Sequence, residues 1–314
     1  MFLEKYSRFF RRYNLHLHAR HKQGVPLPLT ANQEEYSVVD ALRHAMKNGK
    51  ASSGQPNGDT VELIAVDVLN KIEAVALLFH RSSPDAADPM YRKRESEALT
   101  LRQAEKASNE EQTVSAHLVI ENKAQKLGVY RAALEEIPGI SLSVVQAILS
   151  PILRDYKYGF LDMRGDDQET YSTLKVEGIK SESLNDALKT QTLNYLTLSK
   201  TTFSDAIDGD GIVEPMNEKI KFKILGKPSS SQWREKFDAW VKNRRAAGWE
   251  EVSLDLSLED NRHRTVKLDR NKEATEILFV RSEQITVKSE LKPCSLKVVE
   301  EIVEQAIKII RTIN

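Results

Sequence analysis

One cysteine, Cys294, is all that 314 residues contain, which excludes an internal disulfide and every zinc or iron–sulfur site built from several thiolates of one chain. At the edge of a helical pattern it reads as a structural thiol. Long apolar runs are missing too: the longest, Ile72 to Phe79, is interrupted by Glu73 and is far too short to cross a bilayer. Arginines occupy Met1 to Tyr13, where a secretory leader would carry its apolar stretch, so the expectation is a soluble, cytoplasmic chain without membrane insertion. Net charge is absent, because 46 Lys and Arg balance 46 Asp and Glu. The chain also lacks a Walker-type phosphate loop, a Gly-x-Gly-x-x-Gly turn, a Gly-x-Ser-x-Gly elbow and a His-Glu-x-x-His pair, and with them the usual cradles for a cofactor or a resident metal. No repeat of fixed period is visible.

What is present is a globular mix, 40% apolar and 29% charged, in a chain long enough for two domains with separate cores. Tyr13, Leu15 and Leu17 alternate with Asn14, His16 and His18 as a half-buried strand does. A helix is expected from about Gln33, capped by Asn32 with Glu35 three residues on, and ending at Asn48-Gly49. "TVELIAVDVL" and "IEAVALLFHR" around Asn70, then "QTVSAHLVIE" and "GVYRAALEEI", give four β segments. Ser143 and Gln146 form a capping-box pattern for a helix that Pro151 should break or kink.

The turn-rich, acidic "DMRGDDQET" marks the expected boundary between an N-terminal α+β domain, residues 1–160, and a C-terminal α+β domain, residues 161–314. Beyond it come strands at "STLKVEG", "LNYLTLSKT" and "KIKFKIL", a helix from about Ser231 to Ala247 striped by Trp233, Phe237, Trp240 and Val241, and further β segments. A long final helix spans Ser295 to Ile313, with an apolar face broad enough either for core burial or for a homodimer. The fold class is therefore α+β, with mainly antiparallel sheets and packed helices.

Few constellations carry chemistry. In "HRSSPDAADPMYRKRE" a strand delivers His80 into a loop holding Asp85 and Asp88, a set that could serve a metal-dependent phosphodiesterase; proline-containing Asp loops are also ordinary turns. His16, His18 and His21 are close enough to attract a metal, yet His-x-His is also plain polar alternation. "DAIDGDGIVE" fails as a calcium loop in both glycine alignments.

Charge distribution is more informative than its sum. Lys5, Arg8, Arg11, Arg12, Arg20 and Lys22 face one acid, Glu4, near the start, and nine basic residues between Lys219 and Arg245 face only Glu235 and Asp238. Lys219, Lys221 and Lys223 alternate with Ile220, Phe222 and Ile224, so the three lysines would stand about 7 Å apart on one strand face. The polar side of the next helix adds Arg234, Lys242, Arg244 and Arg245. A focused positive patch binds a polyanion whatever the total charge; lysines on an edge strand also guard it against aggregation.

The second half, read as an ordered string, resembles the C-terminal region of the phage-exclusion protein RexA and of the B component of the Kiwa antiphage system. The segments concerned are "LKVEGIKSESLNDALKTQTLNYLTLSK", "EEVSLDLSLEDNRHRTVKLDRNKEATEILFVRSEQITVKSE" and "SLKVVEEIVEQAIKII". That resemblance covers about 140 residues and implies an oligomeric, sequence-nonspecific DNA-binding protein of bacterial antiphage defence, working beside a membrane partner; it carries no individual residue across. The leading expectation is nucleic-acid binding, to DNA phosphate in the first place, through Arg8, Arg11 and Arg12 together with the Lys219 to Arg245 patch, with a salt slope of roughly −4 to −5. A phosphodiesterase using His80, Asp85 and Asp88, and a protein-interaction subunit or inhibitor, are the alternatives.

Overall fold

The computed structural model describes residues 3–21, 24–31, 36–92, 101–183, 192–201, 217–224, 231–249, 251–257, 263–267, 278–280 and 282–312. The chain falls into two compact units, Met1–Ile179 with Ser282–Asn314, and Lys180–Arg281. Antiparallel strands with packed helices make up the described residues, as an α+β reading requires.

The first unit is built on a curled, half-barrel sheet. Its strands are β1 (Ser7–Ala19), β2 (Ser52–Gly54), β3 (Thr60–Leu69), β4 (Ala74–Ser83), β7 (Gln112–Lys126), β8 (Val129–Glu135), β9 (Lys157–Leu161), β10 (Asp167–Gly178) and β17 (Ser282–Thr286). The order is β2-β3-β4-β7-β8-β1-β10-β9, and β17 pairs the first residues of β1, Ser7 to Arg11, before β10 takes over from Tyr13. A separate ribbon, β5 (Met90–Arg92) with β6 (Leu101–Gln103), lies in the connection from β4 to β7. Register shifts between Leu63 and Ala65 and between Ile120 and Ala124 add local twist, which helps a wide sheet to curl.

Both faces of this sheet are covered, which is why β4 is apolar at every position from Ala74 to Phe79 instead of alternating. Tyr13, Leu15, Leu63, Val75, Leu77, Phe79 and Leu118 pack under α1 (Val38–Lys47) and α2 (Leu142–Asp155). On the other face, small side chains at Ala74, Ala76 and Ala133 leave room beside Phe10 and Val119 for the final helix, which buries Ile302, Val303, Ala306, Ile307 and Ile310.

Several local expectations are corrected. The β9–β10 hairpin spans residue 160, so "DMRGDDQET" is a hairpin turn and its following strand, with β17 and the last helix, completes the first unit; the boundary falls at Ile179 and the second unit ends at Arg281. Ser37 caps α1, its hydroxyl accepting from the Asp40 amide at 3.2 Å, while Asn32 and Glu35 lie outside the described residues. Ser141 caps α2, and the helix runs through Pro151 to Asp155. The last helix starts at Glu300, and residues 293–299 before it form a bent, non-helical run whose amides are taken from elsewhere: Ser115 accepts from the Ser295 amide, and His117 from that of Val299. Its apolar face is spent on its own sheet and carries no argument for a second copy.

The second unit contains β12 (Thr192–Thr201), β13 (Asn217–Lys223), α3 (Ser231–Ala246), β14 (Glu251–Ser257) and β15 (His263–Lys267), with a four-stranded sheet ordered β13-β12-β14-β15. A short pair joins β11 (Lys180–Ser183) to β16 (Leu278–Val280). Leu196, Leu198, Val252 and Leu254 are buried on one face of the larger sheet, and Phe222 on that face meets Trp240 of α3 edge-on at 5.5 Å. Gly248, at φ +87°, ends α3 in the left-handed conformation that favours glycine, and its amide bonds back to the Arg245 carbonyl. Among the described residues, no helix is long and apolar enough to cross a membrane.

Candidate nucleic-acid interface

Arg8 and Arg12 are not surface groups. Period two along β1 places Arg8, Phe10 and Arg12 on the face covered by α4 (Glu300–Arg311), and both guanidinium groups are sequestered there at 4% exposure. Arg8 Nε lies 2.9 Å from Glu135 Oε1, and its terminal nitrogens donate to the carbonyls of Ser7 and Lys292. The other oxygen of Glu135 accepts from the backbone and from Nδ1 of His117 at 3.0 and 2.7 Å. Because His117 Nε2 accepts from the Val299 amide at 3.2 Å, the ring proton sits on Nδ1. Arg12 pairs with Glu283 at 2.7 Å and donates to the Thr312 carbonyl at 2.9 Å. Arg11, on the opposite parity, forks onto both oxygens of Glu136 at 2.9 and 3.3 Å. The arginines read as phosphate ligands are thus clamps that bind the last segment and β8 to β1.

The set His80, Asp85 and Asp88 does not assemble as a reactive centre. His80 Nε2 donates to the Ser295 carbonyl at 2.8 Å, so it serves the same non-helical run as Ser115 and His117. Asp88 accepts from Gln103 at 3.0 Å, tying the loop to the β5–β6 ribbon, and Asp85 is exposed. The neighbouring Arg81 pairs with Asp59, whose carboxyl is held below the usual range by the Ser83 hydroxyl first, then by Arg81 and Asn57. His16 and His18 stack at 6.1 Å, and His16 lies 3.3 Å from Glu177. Among the described residues no group of three or more His, Cys, Asp or Glu side chains is placed to hold a metal ion.

Cys294 Sγ sits 3.5 Å from His80 Nε2. Burial pushes its thiol pKa up, partly offset by a hydrogen bond from Ser115. Since the thiolate is the reactive form, a raised pKa means slow attack. Cys294 is expected to react with Ellman's reagent near neutral pH at least about ten-fold more slowly in the native protein than in guanidinium; equal rates would refute this environment.

The lysine row survives, on one face only. Lys219, Lys221 and Lys223 of β13 are exposed and stand opposite Ser199, Thr197 and Tyr195 of β12. Directly paired residues share a face, so this is the side turned away from Phe222, Leu196 and α3. Lys221 Nζ lies 4.3 Å above the Tyr195 ring and 3.3 Å from Asp255 Oδ2, and Asp255 Oδ1 accepts from the Thr265 hydroxyl at 2.6 Å. Lys219 and Lys223 make no ion pair with the described residues.

The helix cations belong to the other side of this sheet. Lys242 and Arg244 are exposed on α3, Arg245 is half-buried and engaged, and Arg244 lies 5.5 Å from the Trp240 ring centroid. Of Arg234 only the backbone, within α3, is described. Below Arg244 the helix and the sheet part around a cleft of about 300 Å³ lined by Leu196, Phe222, Ile224, Lys236, Phe237 and Trp240. The single patch expected between Lys219 and Arg245 therefore divides in two, because α3 crosses the face that the lysines avoid. The acidic stretch 205–214 lies outside the described residues.

Sequence reasoning missed Tyr195 and Asp255. The signal was present in "YLTLS", where Tyr195, Thr197 and Ser199 alternate with Leu196 and Leu198, but which strand lies beside β13 is a matter of topology. Comparison of the chain with protein-family models, with curated proteins and with solved structures finds no match in any of the three.

Proposed function

We propose that the second unit binds nucleic acid through its phosphate backbone, without reading base sequence, on the sheet face that carries Lys219, Lys221 and Lys223. The observation that carries this reading is three exposed lysines at alternate positions of β13 on one face, their backbone positions about 7 Å apart. Successive phosphates of one strand have a comparable spacing, and flexible ammonium groups meet phosphate as point charges without demanding a base. The same row also keeps the open edge of β13 from pairing with another chain, a role compatible with binding.

Three ammonium groups, not the four to six phosphate ligands inferred from the sequence, set the salt dependence. The logarithm of the affinity should fall with the logarithm of salt at a slope of about −2 to −3. Fluorescence anisotropy of a labelled oligonucleotide across a salt series measures it, and a flat response overturns the proposal. A part in bacterial phage exclusion rests on the resemblance of the second half and is tested by phage plating on cells that carry the chain with and without its lysines.

A protein-interaction role has one observation in its favour. The β5–β6 ribbon exposes Met90, Tyr91 and Leu101 at 54, 51 and 59%. Retention of one polypeptide on purification, with no nucleic acid, would favour that reading.

A further inference from the structure

The geometry points to single-stranded nucleic acid as the ligand of the lysine face, with Tyr195 as the platform on which a base stacks; this rests on the phosphate-binding reading above and specifies its substrate. Tyr195 is 37% exposed on a sheet whose other residues on that face are polar. An exposed tyrosine in the second strand of a packed sheet has no core to fill. Its ring is covered by the ammonium of Lys221 at 4.3 Å, an electrostatic contact with the π face that a stacked base can replace.

The surroundings fit an extended strand better than a duplex. Thr197, Ser199 and Ser253 are short and half-buried, and they make a low floor running from Tyr195 along β12 and β14, with the longer lysines of β13 as a rail on one side. A single strand can lay its phosphates along the rail and turn a base onto the ring. In a duplex every base face is already stacked, and a low sheet face has no helix or ribbon with which to enter a groove. Displaced from the ring, Lys221 can turn to a phosphate between the sites of Lys219 and Lys223. Binding therefore replaces the pairing of ammonium with ring by a base on the tyrosine and an ammonium on phosphate.

The test compares three probes of equal length, about 15 nucleotides, at one salt concentration: oligothymidylate, its duplex with oligoadenylate, and an abasic deoxyribose-phosphate strand that carries the charge without the bases. With the unaltered protein, oligothymidylate should bind about ten-fold more tightly than either of the others. Tyr195→Ala should remove that advantage and Tyr195→Phe should keep it, because stacking needs the ring and not the hydroxyl. Equal affinity for the three probes overturns the single-strand inference, and that arm needs no variant to fold. If Tyr195→Ala changes nothing while Lys219→Glu with Lys223→Glu weakens every probe, phosphate binding stands and the stacking platform is wrong. If the lysine reversals have no effect on any probe, the parent reading falls with it.

Discussion

Arg8→Met should lower the stability of the first unit by about 3–5 kcal/mol, the usual cost of breaking a buried ion pair from one side. In a unit of this size that corresponds to a fall in Tm of roughly 10 °C. The size of the effect comes from what remains. Glu135 is 2% exposed and would be left without its cation, with only the two donors of His117 facing it. The Lys292 carbonyl is deprived of its donor at the same time. The damage should spread along the non-helical run that ends at Val299, since His117 is oriented by Glu135 and in turn receives the Val299 amide. Hydrogen exchange at the amides of Ser295 and Val299 should therefore accelerate beyond what the global drop in stability explains. Arg11→Met is the milder control: Arg11 and its partner Glu136 keep 36 and 19% of their side chains exposed, so breaking this pair should cost less than breaking the buried one. Thermal denaturation of both variants decides the matter, and an unchanged Tm for Arg8→Met would show that the clamp carries no weight. Nucleic-acid affinity, measured on the folded fraction, should be the same for Arg8→Met as for the unaltered chain.

Arg8 also shows where the sequence stops being legible. Alternation located β1, and short apolar runs bounded by turn residues located β3, β4, β7 and β8, because both patterns are local to the backbone whatever the tertiary context. It read Arg8, Arg11 and Arg12 as one basic cluster because burial of a charge depends on partners far away in the chain: Glu135, Glu136 and Glu283 are 127, 125 and 271 positions on. No local pattern encodes such a pairing. The unit boundary was misplaced for a related reason. A turn-rich acidic stretch is the same whether it links domains or closes a hairpin, and only the pairing of Lys157 to Leu161 with Asp167 to Tyr171 distinguishes them. The start of α4 was placed five residues early because Ser295 to Val299 satisfies helical spacing, yet Ser115, His117 and His80 take up its backbone groups in a bent, non-helical form. The segments on which the expected resemblance to RexA and the Kiwa component rested divide as well: β12 and β14 lie in the second unit, while β17 and α4 complete the first.

At the lysine face the alternation was legible and its electrostatics were not, since Asp255 reaches Lys221 from the far side of β12. This geometry makes two opposite predictions from one surface. Replacing Lys219, Lys221 and Lys223 together by glutamate puts three negative charges where phosphate would lie; at about 1 kcal/mol or more for each ammonium–phosphate pair abolished, with repulsion added, affinity should fall at least about a hundred-fold, towards no detectable binding. Asp255→Asn should do the reverse. It preserves shape and can still accept from the Thr265 hydroxyl, but it no longer holds the Lys221 ammonium, and it removes the one acid that engages this row among the described residues. Affinity should rise by several-fold while the salt slope stays at about −2 to −3, because Lys221 reaches phosphate in both proteins and in the variant has no acid to leave. The pair of variants separates binding from edge protection. If the lysines only keep β13 from aggregating, the triple reversal leaves a soluble protein of equal charge density, and Asp255→Asn has no consequence for any oligonucleotide. If they hold phosphate, the two variants move affinity in opposite directions, and the salt slope flattens in the triple reversal alone.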